Sequence, residues 1–237
     1  MSDATRADAR CETGDAPAGG AEPLLVFPCN GNAIEALDCL GRRWRMLGFV
    51  DDTSEKQASV IHGHPVYTRA AFERWPDASV LAVPGGPSSY RGRAALIARL
   101  AVPTHRFARV IHPSARISPL AVLGCNVLIM AGTVVTSNAV IGDHVCILPN
   151  TVVHHDASVG AGTLIGSNVT IAGGVVIEET AYIGSGTSVK NGVRIGAGAL
   201  VGLGSVVVRN VAAGTVVAGN PARALRESAP EPTPEGR

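Results

Sequence analysis

The chain has 237 residues, carries a formal net charge of +1 and contains only 4% aromatic residues. The near-neutral charge predicts no nucleic-acid and no membrane partner, and no apolar run reaches the roughly 18 residues of a transmembrane helix. The five cysteines are odd in number and lack the spacing of a metal site, which is typical of reduced thiols in a cytoplasmic protein. We therefore expect a cytoplasmic protein with an aliphatic core and no bound metal.

Composition divides the chain into four parts. Residues 1–22 are polar, rich in Ala, Gly and Asp, and lack the apolar segment of a signal peptide, so we expect a disordered leader. Residues 227–237 contain three prolines and are expected to form a disordered tail. Between these ends, residues 23–109 and 110–226 show different patterns and are predicted to form two domains.

Residues 23–109 alternate between short apolar runs and helical patterns. They predict strands at 24–27, 46–50 and 79–83, helices at 33–40, 68–75 and 88–100, and a loop or strand pair at 60–67. Thr68 is the expected cap of the second helix. This order predicts a small parallel sheet with helices outside, as in Rossmann-like domains.

The carboxyl ends of these strands are where a parallel sheet binds its ligands. They carry Asn30, Gly31 and Asn32, then Asp51 and Asp52, then Gly85, with Arg91 one turn into the last helix. An acid after the second strand can accept hydrogen bonds from a ribose or a base, and N–H groups at a helix start suit a phosphate. The alternative is that all of these are ordinary turn residues.

The second region is organised by a repeat of six. Every sixth residue from Ile111 to Val207 is Ile, Leu or Val, and the residue two positions earlier is small or β-branched. Glycine often follows the aliphatic residue directly, as at Gly124, Gly142, Gly160, Gly166, Gly184, Gly196 and Gly202. A period of six is neither helical nor that of a flat strand; it predicts a parallel β-helix with three hexads to a coil. The aliphatic and small residues should face inward, and the glycines should adopt corner angles that a Cβ resists.

Six motifs carry a family resemblance: GFVDD at 48–52, IHPSA at 111–115, IGDH at 141–144, HD at 155–156, AG at 172–173 and GNPAR at 219–223. Together they resemble the sialic acid O-acetyltransferase NeuD family of hexapeptide-repeat acyltransferases. That family includes N-acetyltransferases of nucleotide-linked 4-amino-4,6-dideoxy sugars. The resemblance spans residues 24–226. It implies a mainly β fold, a left-handed β-helix after a small α/β domain, with acetyl-CoA bound between the subunits of a homotrimer.

The resemblance also assigns roles to residues of this chain. Asn30, Gly31 and Asn32 would contact the nucleotide sugar, Asp51 and Asp52 its base and ribose, and Gly85 its phosphate region. On the β-helix, Ser185, Gly202 and Leu203 would contact the pantetheine arm. Gly219, Asn220, Pro221 and Ala222 would pack near the adenine, and Arg223 would reach a phosphate.

Acetyl transfer needs a base, a donor to the oxyanion and two aligned substrates. The resemblance places the catalytic base on His155 and its orienting acid on Asp156. Gly173 lies one 18-residue coil after His155, so its N–H should lie near the reacting atoms and could bind the oxyanion. His154 is the alternative base.

The remaining histidines are given other roles. We expect His112 to be structural and His144 to lie at the surface or an interface. A zinc site of the γ-type carbonic anhydrase kind is disfavoured, because the gap of 11 between His144 and His155 is not a multiple of six.

Three positions depart from the pattern of the relatives. Their G-x-G-G turn is replaced by Pro28-Cys29-Asn30-Gly31, a second histidine near the acetyl group is replaced by Leu164, and an asparagine is replaced by Leu148. The last two changes should make the pocket more apolar.

The sequence therefore predicts an acetyl-CoA-dependent N-acetyltransferase that acts on a nucleotide-linked amino sugar in surface polysaccharide biosynthesis. The alternatives are a sugar O-acetyltransferase, which needs the same base, and a non-catalytic β-helix scaffold. The aliphatic segments 127–128 and 206–208 should pack against copies of the chain, and we expect a cyclic homotrimer.

Overall fold

The computed structural model describes residues 20–225. Apart from residues 20–22, the expected leader lies outside the described residues, and so does the expected tail. Within residues 20–225 no helix is both long enough and apolar enough to cross a membrane.

The first sheet has five strands: β1 (Glu22–Phe27), β2 (Trp44–Val50), β3 (Val60–Ile61), β4 (His64–Tyr67) and β5 (Ser79–Ala82). Their order is β3-β4-β2-β1-β5; β4, β2, β1 and β5 run parallel, and β3 is antiparallel to β4. The predicted parallel sheet is confirmed, and residues 60–67 form the strand pair. The carboxyl ends of β1, β2 and β5 meet at one edge of this sheet.

The helices of this region are shorter than predicted. They are α1 (Gly31–Glu35), α2 (Ala71–Arg74) and α3 (Arg93–Ala98), with 3-10 turns at Ala36–Cys39, Tyr90–Gly92 and Thr104–Arg106. Helix α1 begins early because Asn30 Oδ1 accepts a hydrogen bond from Ala33 N and caps it. The predicted Thr68 cap is wrong: the cap residue of α2 is Ala70, which makes no side-chain cap bond, and Thr68 only closes a turn through its carbonyl.

The β-helix has three faces, and within each face the short strands run parallel, apart from the last strand of the third face. Face 1 contains β7 (Arg116–Ile117), β10 (Val134–Val135), β13 (Val152–Val153), β16 (Thr170–Ile171), β19 (Ser188–Val189) and β22 (Val206–Val207). Face 2 contains β8 (Val122–Leu123), β11 (Val140–Ile141), β14 (Ser158–Val159), β17 (Val176–Ile177) and β20 (Arg194–Ile195). Face 3 contains β6 (Arg109–Ile111), β9 (Val127–Ile129), β12 (Cys146–Ile147), β15 (Leu164–Ile165), β18 (Tyr182–Ile183), β21 (Leu200–Val201), β23 (Val216–Ala218) and β24 (Arg223–Ala224).

Each strand pairs with the strand one coil later, as Val134 with Val152 and Cys146 with Leu164. The predicted 18-residue coil is confirmed. The chain passes from face 1 to face 2 at corner A, from face 2 to face 3 at corner B, and from face 3 back to face 1 at corner C. The stack ends when β24 pairs antiparallel with β23.

The hexad aliphatics form the core of this prism. They are buried from Leu123 to Val207, while Ile111 and Ile117 at the first coil are partly buried. Hydroxyl-bearing members of the small-residue positions, such as Thr151 and Thr187, are also fully buried. Thr151 Oγ1 donates to Gly166 O at 2.8 Å, so its burial leaves no polar atom unpaired.

The glycines after the aliphatic residues have a different role from the one predicted. Gly142 and Gly184 do not adopt positive φ values. A Cβ on Gly142 would instead lie 2.8 Å from Ala161 N, and one on Gly184 would lie 2.5 Å from Leu203 N. These positions therefore need glycine because successive coils approach closely there, whereas positive φ values occur two residues later, as at Asn126 and His144.

The two parts of the chain share a hydrophobic cluster. Leu24, Val26 and Leu81 of the first sheet belong to the same buried cluster as Leu128 and Cys146 of face 3. The first domain thus covers face 3. Faces 1 and 2 keep apolar side chains that are not covered within the described chain, such as Val140, which is 45% exposed.

Candidate active site

His155 and Asp156 lie at corner A, in the turn between β13 and β14. His155 Nδ1 is 2.8 Å from Asp156 Oδ2, and both side chains are exposed. Asn138, one coil earlier, donates from Nδ2 to Asp156 Oδ1 at 3.0 Å. The hydrogen bond from His155 and, to a smaller extent, that from Asn138 lower the pKa of Asp156. This carboxylate is therefore ionised at neutral pH.

The hydrogen bond to Asp156 sets the tautomer of His155. An ionised carboxylate can only accept, so in the neutral imidazole Nδ1 carries the proton and Nε2 keeps a lone pair. Nε2 lies over Gly173, because a Cβ added to Gly173 would be 2.7 Å from both Nε2 and Cε1. Any larger residue at position 173 would displace the imidazole.

Gly173 supplies a backbone donor beside this imidazole. Its N–H has no hydrogen-bond partner among residues 20–225, while its carbonyl accepts from Gly192 N at 3.1 Å. Asn191, one coil further, places Nδ2 3.3 Å from the same added Cβ position. Corner A therefore places a potential base (His155), a free N–H (Gly173) and a side-chain amide (Asn191) on successive coils. The 18-residue spacing predicted that the first two would be neighbours. Asn138 and Asn191 were missed, although each lies one coil from a predicted residue.

The other histidines have different surroundings. His154 is half-buried, and its backbone N donates to Ile171 O. His112 Nδ1 is bonded to the backbone N and the hydroxyl of Ser114. His144 is half-buried against Phe107, with ring centroids 5.3 Å apart. Among the described residues, no group of three or more His, Cys, Asp or Glu side chains is placed to hold a metal ion.

The two adjacent aspartates at the end of β2 differ sharply. Asp51 is 2% exposed and accepts hydrogen bonds from Cys29 N, Thr53 N and Lys56 Nζ. Burial alone would raise the pKa of Asp51, but the hydrogen bonds from Thr53 and Lys56, with the charge of Lys56, lower it. Asp51 thus joins the loops that follow β1 and β2.

Asp52 faces solvent at the same edge of the sheet. Both of its carboxylate oxygens accept hydrogen bonds from Arg69, at 2.7 and 2.6 Å. Of the two aspartates, only Asp52 has a carboxylate that an incoming ligand can reach.

A cavity of about 240 Å³ lies between the first domain and face 3. It is lined by Asn32, Gly85, Gly86, Pro87, Cys146, Leu148, Leu164, Ile165, Gly166 and Tyr182. Leu148 and Leu164 make its β-helix wall apolar, as expected. Asn30 and Arg91 do not line it: Asn30 Nδ2 donates to Val83 O, and the Arg91 guanidinium donates to Gly198 O and Gly214 O. Gly31, at the start of α1, is exposed.

The predicted cofactor contacts gather along corner C and the end of the stack. Ser185 and Leu203 occupy successive coils, with Gly204 N donating to Ser185 O at 2.8 Å, and Leu203 is 81% exposed. Gly202 lies at the same corner. The segment 219–223 packs beside it, since Gly219 N donates to Ser205 Oγ and Ala222 N donates to Val206 O.

One chain does not bring these groups together. His155 and Gly173 lie at corner A, which is opposite face 3 in a triangular prism. The cavity lies on face 3 and the predicted cofactor contacts lie at corner C. A site that uses all of them needs corner A of one chain beside corner C of another.

The chain was compared with family models, curated sequences and solved structures, and the matches indicate a class of enzyme. The family model "Bacterial transferase hexapeptide (six repeats)" matches residues 120–155 and 138–173, and no curated protein sequence matches the chain. The acetyltransferase domain of PglB from Neisseria gonorrhoeae, solved with acetyl coenzyme A, is 28% identical with a TM-score of 0.75, and the match covers 87% of this chain and 100% of that one. The repeat, the three-faced prism and this match identify a hexapeptide-repeat acyltransferase with a left-handed β-helix.

Two further structures narrow the class. PerB from Caulobacter crescentus, solved with CoA and GDP-perosamine, is 29% identical with a TM-score of 0.74, and the match covers 86% of this chain and 97% of that one. WeeI from Acinetobacter baumannii is 25% identical with a TM-score of 0.74, covering 86% of this chain and 100% of that one. Over most of its length the chain is thus similar to acetyltransferases, one of them solved with CoA and GDP-perosamine.

Proposed function

We propose that this protein transfers the acetyl group of acetyl-CoA to the amino group of a nucleotide-linked amino sugar. The observation that carries the proposal is the His155–Asp156 pair, whose free Nε2 lies over Gly173. The similarity to PerB, which was solved with CoA and GDP-perosamine, supports an amino sugar as acceptor.

His155 acts as the general base. Its Nε2 takes a proton from the sugar amine as the nitrogen attacks the thioester carbonyl of acetyl-CoA. Asp156, held by Asn138, keeps the imidazole in the required tautomer and stabilises the imidazolium that forms.

The tetrahedral intermediate is stabilised by the free N–H of Gly173, which lies beside the imidazole. Collapse of the intermediate breaks the carbon–sulfur bond and forms the amide. The imidazolium then returns its proton to the departing CoA thiolate, so that the enzyme is restored with no change in its charge.

The acceptor sugar binds in the cavity between residues 84–87 and face 3. The apolar wall of Leu148, Leu164 and Tyr182 suits the deoxygenated carbons of a 4-amino-4,6-dideoxy sugar, since polar hydroxyl groups would lose hydrogen bonds there. The nucleotide extends along the carboxyl edge of the first sheet, where Asp52 can accept hydrogen bonds from its ribose or base and Gly85 lies near its phosphates.

Acetyl-CoA lies along corner C, where Ser185, Gly202 and Leu203 follow one another. Because corner A is on the opposite side of the prism, the acceptor and donor in one chain are served by His155 of a neighbouring chain. A cyclic homotrimer supplies such a neighbour at each of its interfaces. We place the reaction in the cytoplasm, in the biosynthesis of a surface polysaccharide.

The test is release of free thiol from acetyl-CoA in the presence of a panel of UDP-, dTDP- and GDP-linked amino sugars. We expect one nucleotide amino sugar to give turnover and a product heavier by one acetyl group that survives mild alkali, as an amide does and an ester does not. An alkali-labile product would identify an O-acetyltransferase. Failure of every acceptor to stimulate thiol release would refute the proposal and favour a scaffold.

A further inference from the structure

Strand β5 is an edge strand of the first sheet, and its carboxyl end is held by the β-helix. Asn126, at corner B, accepts a hydrogen bond from Ala82 N at Oδ1 (2.7 Å) and donates from Nδ2 to Ala82 O (2.8 Å). The amide side chain thus pairs the backbone of Ala82, beyond the bridge that Phe107 makes to Val80 on the same edge of the sheet. Asn126 is fully buried, with a φ of +53° that asparagine tolerates better than most residues.

Arg93 makes a second connection at the same corner. Its side chain is 1% exposed. Nε donates to Gly162 O at 3.2 Å, Nη2 donates to His144 O at 2.6 Å, and Nη1 donates to Pro84 O. Gly162 and His144 lie on successive coils, whereas Pro84 follows β5, so one guanidinium joins the loop to two coils of the β-helix.

This guanidinium has no carboxylate partner among the described residues. Burial lowers the pKa of Arg93 to about 10, which still leaves it charged at neutral pH. A buried charge is costly unless its hydrogen bonds are made, and the planar fork of arginine can reach three carbonyls that the point charge of lysine cannot. The three carbonyls are therefore constrained to the positions that the fork requires.

The constrained loop forms one wall of the cavity. Gly85 has a φ of +100°, and a Cβ added to it would lie 2.8 Å from Arg93 Cγ. The loop is therefore wrapped tightly around the stem of Arg93. Gly85 and Gly86 face Leu148 and Leu164 across the cavity, so the position of the loop sets the distance between the two walls.

We infer that Arg93 is a positioning residue, which fixes the distance between residues 84–86 and face 3 and thereby sets the affinity for the nucleotide-linked acceptor. This role rests on the proposed function, because it assumes that the acceptor binds in this cavity. Arg93 itself is buried behind the loop and is not among the residues that line the cavity. Asn126 helps to fix the same loop, because it holds Ala82, which comes shortly before Pro84.

Arg106 provides a matched control. It also donates three hydrogen bonds to carbonyl oxygens, those of Ala78, Phe72 and Trp75. All three lie within the first domain and none belongs to the cavity. Arg106→Gln therefore removes a comparable set of bonds without releasing the loop.

The experiment compares Arg93→Gln with Arg106→Gln by hydrogen exchange and by kinetics. In Arg93→Gln we expect the hydrogen-bonded amides of Gly86 and Ser89 to exchange about tenfold faster or more, while those of face 1 are unchanged. The KM of the nucleotide amino sugar should rise about ten- to a hundredfold, since small displacements of a binding wall have effects of that size, and the KM of acetyl-CoA should stay within about twofold. Arg106→Gln should lower the melting temperature without either change.

If Arg93→Gln does not fold, Asn126→Asp tests the same geometry. It retains the acceptor for Ala82 N, loses the donor to Ala82 O and should show the same selective rise in KM and exchange. Unchanged loop exchange in either folded variant, or equal effects in Arg106→Gln, would overturn the positioning role. If the wild-type enzyme acetylates no acceptor, the proposed function is refuted. The hydrogen-exchange result still tests whether Arg93 fixes the loop, because exchange does not depend on turnover.

Discussion

At the scale of single residues, the proposed chemistry depends on one imidazole whose two nitrogens have different environments. Nδ1 of His155 is bonded to an ionised carboxylate, and Nε2 faces the next coil. The adjacent His154 has the same chemistry but is half-buried, and no carboxylate of the described residues pairs with it. Position in the hexad, rather than residue type, therefore distinguishes the two.

The first prediction compares these adjacent histidines. His155→Ala should lower kcat by about 10²–10⁴, because the proton of the amine then has no acceptor. The KM of acetyl-CoA should change little, since the imidazole meets the nucleophile and not the nucleotide of the cofactor. His154→Ala on the same preparation should be close to wild type. An inactive His154→Ala beside an active His155→Ala would shift the assignment by one residue, and two active variants would refute the base.

The second prediction separates the two adjacent aspartates. Asp52→Ala should raise the KM of the nucleotide sugar about ten- to a hundredfold, which corresponds to one lost charge-assisted hydrogen bond, and leave that of acetyl-CoA unchanged. Asp51→Asn should instead destabilise the fold by about 1–3 kcal/mol, because it leaves the buried N–H of Cys29 and the half-buried ammonium of Lys56 poorly paired. Steady-state kinetics and urea unfolding of both variants measure these effects. Equal loss of both KM values in Asp52→Ala would contradict nucleotide binding there.

At the scale of the element, corner B joins the first domain to the β-helix. Asn126, His144 and Gly162 follow one another at one-coil spacing, and each is hydrogen-bonded to the first domain, Asn126 to Ala82 and the other two to Arg93. Asn126 Nδ2 lies 3.0 Å from His144 Nδ1. Because Asn126 donates there, His144 Nδ1 must be unprotonated.

The third prediction concerns the pH dependence of this corner. Burial, with the charge of Arg93, lowers the pKa of His144 below its ordinary 6.5, although Asp143 opposes the shift. The unfolded chain therefore binds a proton more readily than the folded one. The contribution of His144 to stability is complete above about pH 6.5 and is lost as the pH falls below it.

Denaturant unfolding at pH 7.5 and pH 5.5 measures this effect. His144→Asn keeps the positive φ of that position acceptable and should reduce the loss of unfolding free energy on acidification. The control is His62→Asn, because His62 also has a positive φ but is exposed in the β3–β4 turn, and it should behave like wild type. Identical acid sensitivity of wild type and His144→Asn would show that corner B does not titrate.

At the scale of the whole molecule, the parts of the site are divided between opposite sides of one prism. The first domain covers face 3, while corner A and faces 1 and 2 remain open in the single chain. Half-exposed valines such as Val140 give these open faces an apolar character. Association of copies through them would bring corner A of one chain to the cavity of the next.

The fourth prediction tests this division by complementation. His155→Ala removes the base at corner A, and Gly86→Trp fills the cavity without a backbone clash, because nothing lies within 4 Å of an added Cβ at Gly86. Each variant alone should be inactive and trimeric by light scattering. Co-expression of the two should restore activity, since some sites then combine an intact corner A with an intact cavity from another chain. A mixture that stays inactive, or a stable monomer at micromolar concentration, would show that the site is not shared.

The sequence by itself determined the repeat architecture, the coil length and the pairing of His155 with Gly173. These follow from a local period that holds from Ile111 to Val207, and periodicity needs no knowledge of distant contacts. It also indicated the parallel sheet and the edge at which Asp51 and Asp52 lie, because short apolar runs mark its strands.

Only the tertiary structure decided which of those polar residues are available to a ligand. Asp51 and Asp52 are identical in sequence terms, but packing of the loops that follow β1 and β2 buries one of them and exposes the other. The role of the hexad glycines was also decided there, since the close approach of coils at Gly142 and Gly184 is a contact between residues far apart in the chain. Arg93 and Asn126 carried no signal at all, because their function arises where the first domain meets corner B, and no local pattern encodes that contact.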